Sequence, residues 1–239
     1  MTIYMLSNEL SFPHPNLARK DGLLAVGGDL SDERLLLAYQ NGIFPWYSGD
    51  EPIIWWSPDP RLVLYPDQLK VSRSLKKTIR QKKFTVTIDT VFDDVIKACA
   101  SIRTIKQKET WITGDMIKAY CSLHRSGFAH SVEAWYQGNL VGGLYGVSLG
   151  KCFFGESMFS IVDNASKVAF VYFVDILKTL SIDLIDCQVS TEHLMQFGAR
   201  EIERKRFLKE LKHSLHSPTI RGKWEIGKQK TLQLKKPMS

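Results

Sequence analysis

Two acids sit inside apolar, strand-like runs of this chain. Glu156 lies in Phe153-Phe154-Gly155-Glu156-Ser157-Met158-Phe159-Ser160, and Asp186 in Leu184-Ile185-Asp186-Cys187-Gln188-Val189. Burying a carboxylate is costly unless a cation or hydrogen-bond donors meet it. Side chains alternate along a strand, so Glu156 and Met158 are expected to face one way, as are Asp186 and Gln188. In sheets with parallel neighbours, ligands collect beyond the carboxyl ends of the strands. That places Glu156, Asp186 and Gln188 around one cleft, with Leu144, Phe153, Met158, Phe173, Leu177 and Ile185 as its apolar lining. Taken singly, each apolar residue reads more readily as core and Asp186 as a satisfied structural acid. Two acids in adjacent apolar strands point instead to a site.

Other chemistries find little support. The histidines fall in separate elements, none at ligand spacing from another, and the four cysteines show no C-x-x-C pattern. Three of those cysteines lie in apolar segments, which reads as buried thiols in a reducing cytosol. No Ser/His/Asp order or Cys/His pairing stands out, so metal and covalent-nucleophile chemistry are not expected.

One long apolar segment, capped at Asp163 or Asn164 and running to about Leu180, separates the two acidic strands. A strand–helix–strand unit of this length asks for a right-handed crossover between parallel strands. Upstream, Thr113 caps a helix that stops near Gly127, and Ser131–Tyr136 with Leu140–Ser148 forms a hairpin signal about Gln137-Gly138-Asn139. Helix, antiparallel meander, then one crossover is the order of an acetyltransferase-like (GNAT) α+β domain. Coenzyme A would need a glycine-rich pyrophosphate turn after the third meander strand. Here that junction carries Glu156 and no basic residue, so the donor reaches the site another way.

The first hundred residues read as a smaller α+β unit. Ser31 caps a helix with Leu35, Leu36 and Tyr39 on one face, ended by Asn41-Gly42. Aromatic, proline-punctuated segments follow at Ile43–Tyr47 and Ile53–Pro58. Strands are expected at Arg61–Tyr65 and Phe84–Ile88, and helices at Ser72–Lys83 and from about Thr90 to Ala100. The expected domains are 1–108, holding the aromatic loops and a basic helix, and 109–239, the GNAT-like catalytic unit with a basic tail. Lys106-Gln107-Lys108 marks the boundary between them.

The net charge of +7 is unevenly spread: from Glu203 onward there are 11 basic and 3 acidic residues. Lys70, Arg73, Lys76, Lys77, Arg80, Lys82 and Lys83 fall in fourteen residues without an acid. Such blocks suit a polyanion partner, or a solvated helix face. The longest unbroken apolar run, Val168 to Val174, is too short for a bilayer, and the N-terminus lacks a signal-peptide pattern, so a cytoplasmic location is expected. A monomer is the expected state, independently of these features.

Several stretches together carry a family resemblance. They are Gly27-Gly28-Asp29-Leu30, Gly42-Ile43-Phe44-Pro45-Trp46, Trp55-Trp56-Ser57-Pro58-Asp59-Pro60-Arg61, Thr110-Trp111-Ile112-Thr113, Gly155 to Ser160 and Asp186-Cys187-Gln188. From about residue 12 to about residue 215 the chain resembles the bacterial leucyl/phenylalanyl-tRNA–protein transferases. The resemblance implies transfer of Leu or Phe, and less efficiently Met, from aminoacyl-tRNA to the α-amine of proteins beginning with Arg or Lys, which marks them for N-degron degradation. It implies that Asp186 and Gln188 engage the acceptor amine and that Trp46 and Trp111, with Tyr39 nearby, meet the terminal adenosine. It also leaves the basic helix (Arg73, Lys76, Lys77, Arg80, Lys82, Lys83) to touch tRNA phosphates, which position without reading sequence. Thr191 stands where the family usually has asparagine. The tail beyond about Ser217 does not match, and its charge is either a tRNA contact or solvated.

An aminoacyl-tRNA is an ester already activated for aminolysis, so no coenzyme, metal or enzyme nucleophile is required. An α-amine has a pKa of about 7.7–8.0, so finding it neutral at pH 7 costs only about 1 kcal/mol. Orienting two reactants is worth roughly 7–11 kcal/mol, so positioning should dominate. A neutral amide is a poor base, which makes Gln188 an orienting group, with Glu156 and Asp186 giving the field that selects a basic N-terminus. Two other readings remain: a peptidoglycan-bridge type of aminoacyl transferase, usually a longer chain with a duplicated domain, and a non-catalytic RNA-binding module.

Overall fold

A computed structural model describes residues 3–49, 51–107 and 111–225, with backbone alone over 102–107. The elements are β1 (Tyr4–Leu6), β2 (Leu23–Gly27), α1 (Asp32–Gln40), β3 (Phe44–Pro45), β4 (Ile54–Trp56), β5 (Arg61–Leu64), α2 (Arg73–Arg80), β6 (Thr85–Ile88) and α3 (Phe92–Gln107). There follow α4 (Gly114–Arg125), β7 (Ala129–Tyr136), β8 (Asn139–Leu149), β9 (Cys152–Ser160), α5 (Ala165–Thr179), β10 (Leu184–Gln188), α6 (Glu192–Met195), β11 (Arg200–Ile202) and α7 (Arg204–Ser214).

Helix starts follow local chemistry. The Ser31, Ser72 and Thr113 side chains accept from the backbone N–H groups of Arg34, Leu75 and Met116, capping α1, α2 and α4. Asp32 and Glu33 then complement the first turn of α1. In α2 only Leu75 and Ile79 are buried, four residues apart on one face.

The strands form two sheets, of order β1-β2-β4-β3 and β11-β5-β10-β9-β8-β7-β6. In the larger sheet only β9 and β10 run parallel, joined through α5 as the strand–helix–strand order requires. Alternate residues feed two apolar layers. Phe153, Ile185, Leu62 and Leu64 pack with α2 and α5 on one face. Phe154, Leu184 and Val63 pack with α1, α3, α4, α7 and the smaller sheet on the other.

The sheets do not divide at residue 108. Strands β5 and β6 precede it in sequence yet belong to the larger sheet, so the division between sheets falls between β4 and β5. Helix α3 runs on to Gln107, and Lys108 lies outside the described residues. Among the described residues, no helix is long and apolar enough to cross a membrane.

Candidate active site

Strand β9 extends to Ser160 and β10 to Gln188, but their pairing stops at Asp186 opposite Phe154. Each strand carries a bulge just beyond that point. In β9 the register against β8 skips Glu156, and in β10 the register against β5 skips Cys187. A bulge re-aims the side chains that follow it. Met158 therefore packs in the layer of Leu144 and Phe153, while Glu156 meets residues of the opposite layer. The simple alternation expected from sequence fails at this bulge. Gln188 holds a left-handed backbone (φ 64°), a strain typical of functional positions.

The separating strands open onto a cavity of about 470 Å³. Leu144, Phe153, Met158, Phe173 and Ile185 line it, joined by Phe44, Phe170, Cys187 and Leu194. Leu177 does not: it is fully buried in the α5 layer and serves as core. Trp46 and Trp111 stand at the cavity, Trp46 being 42% exposed and tilted 56° against Trp56 with ring centroids 5.9 Å apart. Tyr39 is not an adenosine platform, because it is wholly buried beneath Glu156.

Three donors converge on Glu156. Tyr39 Oη donates to Oε1 at 2.8 Å, Gln188 Nε2 to the same oxygen at 2.7 Å, and Tyr120 Oη to Oε2 at 3.0 Å. The two tyrosine hydroxyls also hydrogen-bond each other. This triangle has three oxygen–oxygen contacts, but the two hydroxyls supply only two hydrogens. When Glu156 is ionised both hydroxyls donate to it. When it is protonated on Oε2 that proton is directed at Tyr120, Tyr120 donates to Tyr39 and Tyr39 to Oε1, so that all three contacts are hydrogen bonds. Burial pushes the Glu156 carboxyl up to about 7, against the pull of these donors and with help from the Asp186 carboxylate. The tyrosines are raised well above their ordinary value, chiefly by burial and then by the Glu156 charge, so both remain hydroxyls.

Asp186 is already satisfied. Arg61 Nε and Nη2 donate to its two oxygens at 2.8 and 2.6 Å, and the Gln188 backbone N–H donates to Oδ1 at 2.9 Å. The Arg61 guanidinium lies 4.7 Å from the Phe44 ring centre and 4.6 Å from that of Phe207, and both charged residues are fully buried. Asp186 thus faces a cation of its own chain, and its oxygens do not reach the cavity. What it holds is the backbone of Gln188.

Arg61 and Tyr120 were not singled out as site residues from sequence. Arg61 opens a strand with a charge inside a buried run, which already asked for an acid. Tyr120 follows Met116 by four residues on the inward face of α4. Thr191 lines the cavity and caps α6 through the Leu194 N–H, a task asparagine performs equally well. Arg73, Lys76, Lys77, Arg80, Lys82 and Lys83 are all exposed, the last with its ammonium 4.7 Å from the Tyr136 ring centre.

Family models for the leucyl/phenylalanyl-tRNA protein transferase match residues 63–212, and for its N-terminal domain residues 28–59. The chain belongs to this transferase family. A leucyl/phenylalanyl-tRNA–protein transferase of Desulfatibacillum aliphaticivorans is 58% identical over 95% of this chain and 97% of its own length. A second, from Anaeromyxobacter sp. strain Fw109-5, is 60% identical over 95% and 96%. Among solved structures, the L-PGS of Bacillus licheniformis aligns with a TM-score of 0.40 at 10% identity, covering 84% of this chain and 66% of its own. The break between the two family models, after residue 59, falls where the chain leaves the smaller sheet for the larger. The larger sheet of this chain carries both Arg61 and Asp186.

Proposed function

We propose that this member of the family transfers Leu or Phe, and less readily Met, from aminoacyl-tRNA to the α-amine of proteins whose first residue is Arg or Lys. The observation that carries the reading is the meeting of an apolar cavity of about 470 Å³ with the Gln188–Glu156 pair at the strand divergence. The donor's side chain fills the cavity between Leu144, Phe153, Met158, Phe173 and Ile185, and its terminal adenine stacks on Trp46 and Trp111. The exposed basic face of α2 holds tRNA phosphates. GNAT-like topology suits this use, because the opening between its parallel strands admits the aminoacyl end.

The acceptor amine, in its neutral form, attacks the ester carbonyl. The carbon–nitrogen bond forms as the bond to the 3′ oxygen of the tRNA breaks, and the amine's proton ends on that oxygen. Gln188 gives its Nε2 to Glu156, so its Oε1 is the atom free to accept from the incoming amine and fix the line of attack. Arg61 and Asp186 act one step back, holding the Gln188 backbone. Their charges cancel, which leaves the ionised fraction of Glu156 to attract a cationic N-terminal residue. The product is a substrate for N-degron degradation, and the enzyme works as a monomer in the cytoplasm.

Incubation of the protein with Leu-tRNA and an Arg-initiated peptide should yield a Leu-extended peptide, while a peptide beginning with Glu should not react. Absence of product with Leu-, Phe- and Met-tRNA alike would sink the reading. Transfer to a cell-wall precursor but not to peptides would replace it.

A further inference from the structure

After α7 the chain doubles back over the molecule as a strap, residues 217–225, beyond the residues the family model matches. Four attachments hold it. Gly150 N–H donates to Thr219 Oγ1 at 2.8 Å, and Arg221 Nη2 donates to the Ser126 carbonyl at 3.1 Å while its guanidinium covers the Phe128 ring. Gly222 N–H donates to the Gly127 carbonyl, an approach so close that a Cβ on Gly127 would lie 2.3 Å from the Gly222 nitrogen. Last, Trp224 N–H donates to Asp89 Oδ2 at 2.8 Å.

Trp224 is where the strap enters the core. Its indole is only 4% exposed and stacks on His130, with ring centres 3.7 Å apart and planes 14° from parallel. Asp89 Oδ2 also meets His130 Nδ1 at 2.8 Å, so one carboxylate fixes both stacked partners. The indole N–H donates to the Ile220 carbonyl, so no polar atom of the ring points inward unmet. Beyond His130, the indole lies 6.4 Å from the Phe173 ring centre and 6.5 Å from that of Phe153, within the range of direct aromatic contact. Both phenylalanines line the cavity, and Trp224 does not.

We propose that Trp224 is a positioning residue for donor selection: the C-terminal strap, through this one indole, forms the back wall that keeps Phe153 and Phe173 pressed into the aminoacyl side-chain pocket. The inference rests on the proposed aminoacyl transfer and adds to it the element that sets pocket depth. Close packing is what makes this possible, because Trp224 occupies the space behind both rings. Truncating the indole leaves a cavity behind them, and the pocket deepens as they relax. A deeper pocket loses the contacts that hold a leucyl side chain and retains those of the longer phenylalanyl one. A single methylene in such a pocket shifts selectivity by about 10- to 200-fold.

The test uses the full-length protein with Leu-tRNA or Phe-tRNA as donor and an Arg-initiated peptide as acceptor. For Trp224→Ala, the ratio of kcat/KM for Leu-tRNA to that for Phe-tRNA should fall about tenfold. The change should lie mainly in donor KM, with peptide KM unaltered, and Trp224→Phe should restore most of the ratio. A folded Trp224→Ala protein whose two donors fall by the same factor, or not at all, overturns the inference while leaving transfer intact. If the alanine variant does not fold, Trp224→Leu is read by the same ratio and decides. A wild-type protein inert toward both donors overturns the transfer reading and this inference together.

Discussion

Gln188 Nε2 and Glu156 Oε1 lie 2.7 Å apart across β9 and β10 at the level where those strands have ceased to pair. The hydrogen bond replaces the lost ladder with a side-chain bridge. It also spends the amide's donor end on protein, so that the acceptor end is left for a ligand. Glu156 can accept in either protonation state, because a proton on Oε2 directed at Tyr120 leaves Oε1 available to Gln188.

Gln188→Ala should therefore lower kcat for aminoacyl transfer by about 10²–10³-fold, the usual loss for one preorganised hydrogen-bonding group. Donor KM should change little, since the cavity wall is untouched. Steady-state kinetics with Leu-tRNA and an Arg-initiated peptide measures both. A large rise in donor KM at unchanged kcat would show that Gln188 binds rather than orients.

Glu156 makes stability and acceptor affinity depend on pH in opposite senses. Its folded carboxyl titrates at about 7 and an unfolded one near the ordinary value of 4.5, so between these limits the native state binds more protons. Stability must then fall as pH rises through that window, by about 3 kcal/mol for a shift of this size. The ionised form gained at the top of the window attracts the cationic N-terminal residue, so peptide KM should fall as pH passes 7. Glu156→Gln mimics the protonated acid and should flatten both profiles. Denaturant unfolding and peptide KM, each measured from pH 5 to pH 8.5, check this.

Local features of the fold were legible in the sequence, and long-range ones were not. Ser31, Ser72 and Thr113 announced helix starts because a cap acts on the next three residues alone. The β7–β8 hairpin and the β9–α5–β10 unit could be read for the same reason, each being contiguous. The insertion of β5 between β10 and β11 could not, since its partners lie well over a hundred residues downstream. Strand Leu23–Gly27 was not foreseen, because its pairing comes from β1 and β4 rather than from its immediate neighbours. At the site, Glu156 and Gln188 were found by type, but their neighbours were misjudged. A period-2 reading has no sign of a bulge, and nothing near Asp186 in sequence reveals that Arg61 is its partner.

Trp46→Ala should raise KM for aminoacyl-tRNA, since stacking a base on an aromatic is worth roughly 1–3 kcal/mol, about 5- to 150-fold. The same factor should appear with a minimal aminoacyl-adenosine donor, which has the base and no tRNA body. Equal affinities of wild type and variant for that minimal donor would remove Trp46 from the adenosine site.

The basic face of α2 should behave in the contrary way. Neutralising Arg73, Lys76 and Arg80, all exposed, should weaken aminoacyl-tRNA binding and reduce the salt dependence of its affinity by about one unit of slope per lost phosphate contact. The minimal donor should be unaffected. Because only Leu75 and Ile79 anchor this helix, these substitutions leave its packing intact, and unfolding curves should superimpose. An unchanged salt slope would make this face a solvated surface.

Arg61 and Asp186 form a buried pair whose role is separable from that of Gln188 by a double-mutant cycle. Removing either partner leaves an uncompensated buried charge, so Arg61→Met and Asp186→Leu should each destabilise by about 3–5 kcal/mol. Replacing both removes the orphan charge together with the pair, and the double variant should recover much of that loss, with Phe44 and Phe207 now flanking an aliphatic chain in place of the guanidinium. Activity should not recover with it. The Gln188 backbone N–H loses its acceptor whenever Asp186 is absent, and with it the contact that fixes the left-handed backbone beside the bulge. The expected pattern is a double variant near wild type in denaturant midpoint but as impaired in kcat as Asp186→Leu alone. Recovery of kcat alongside stability would mean that the ion pair serves folding only, and that Gln188 is positioned by Glu156 without help from below.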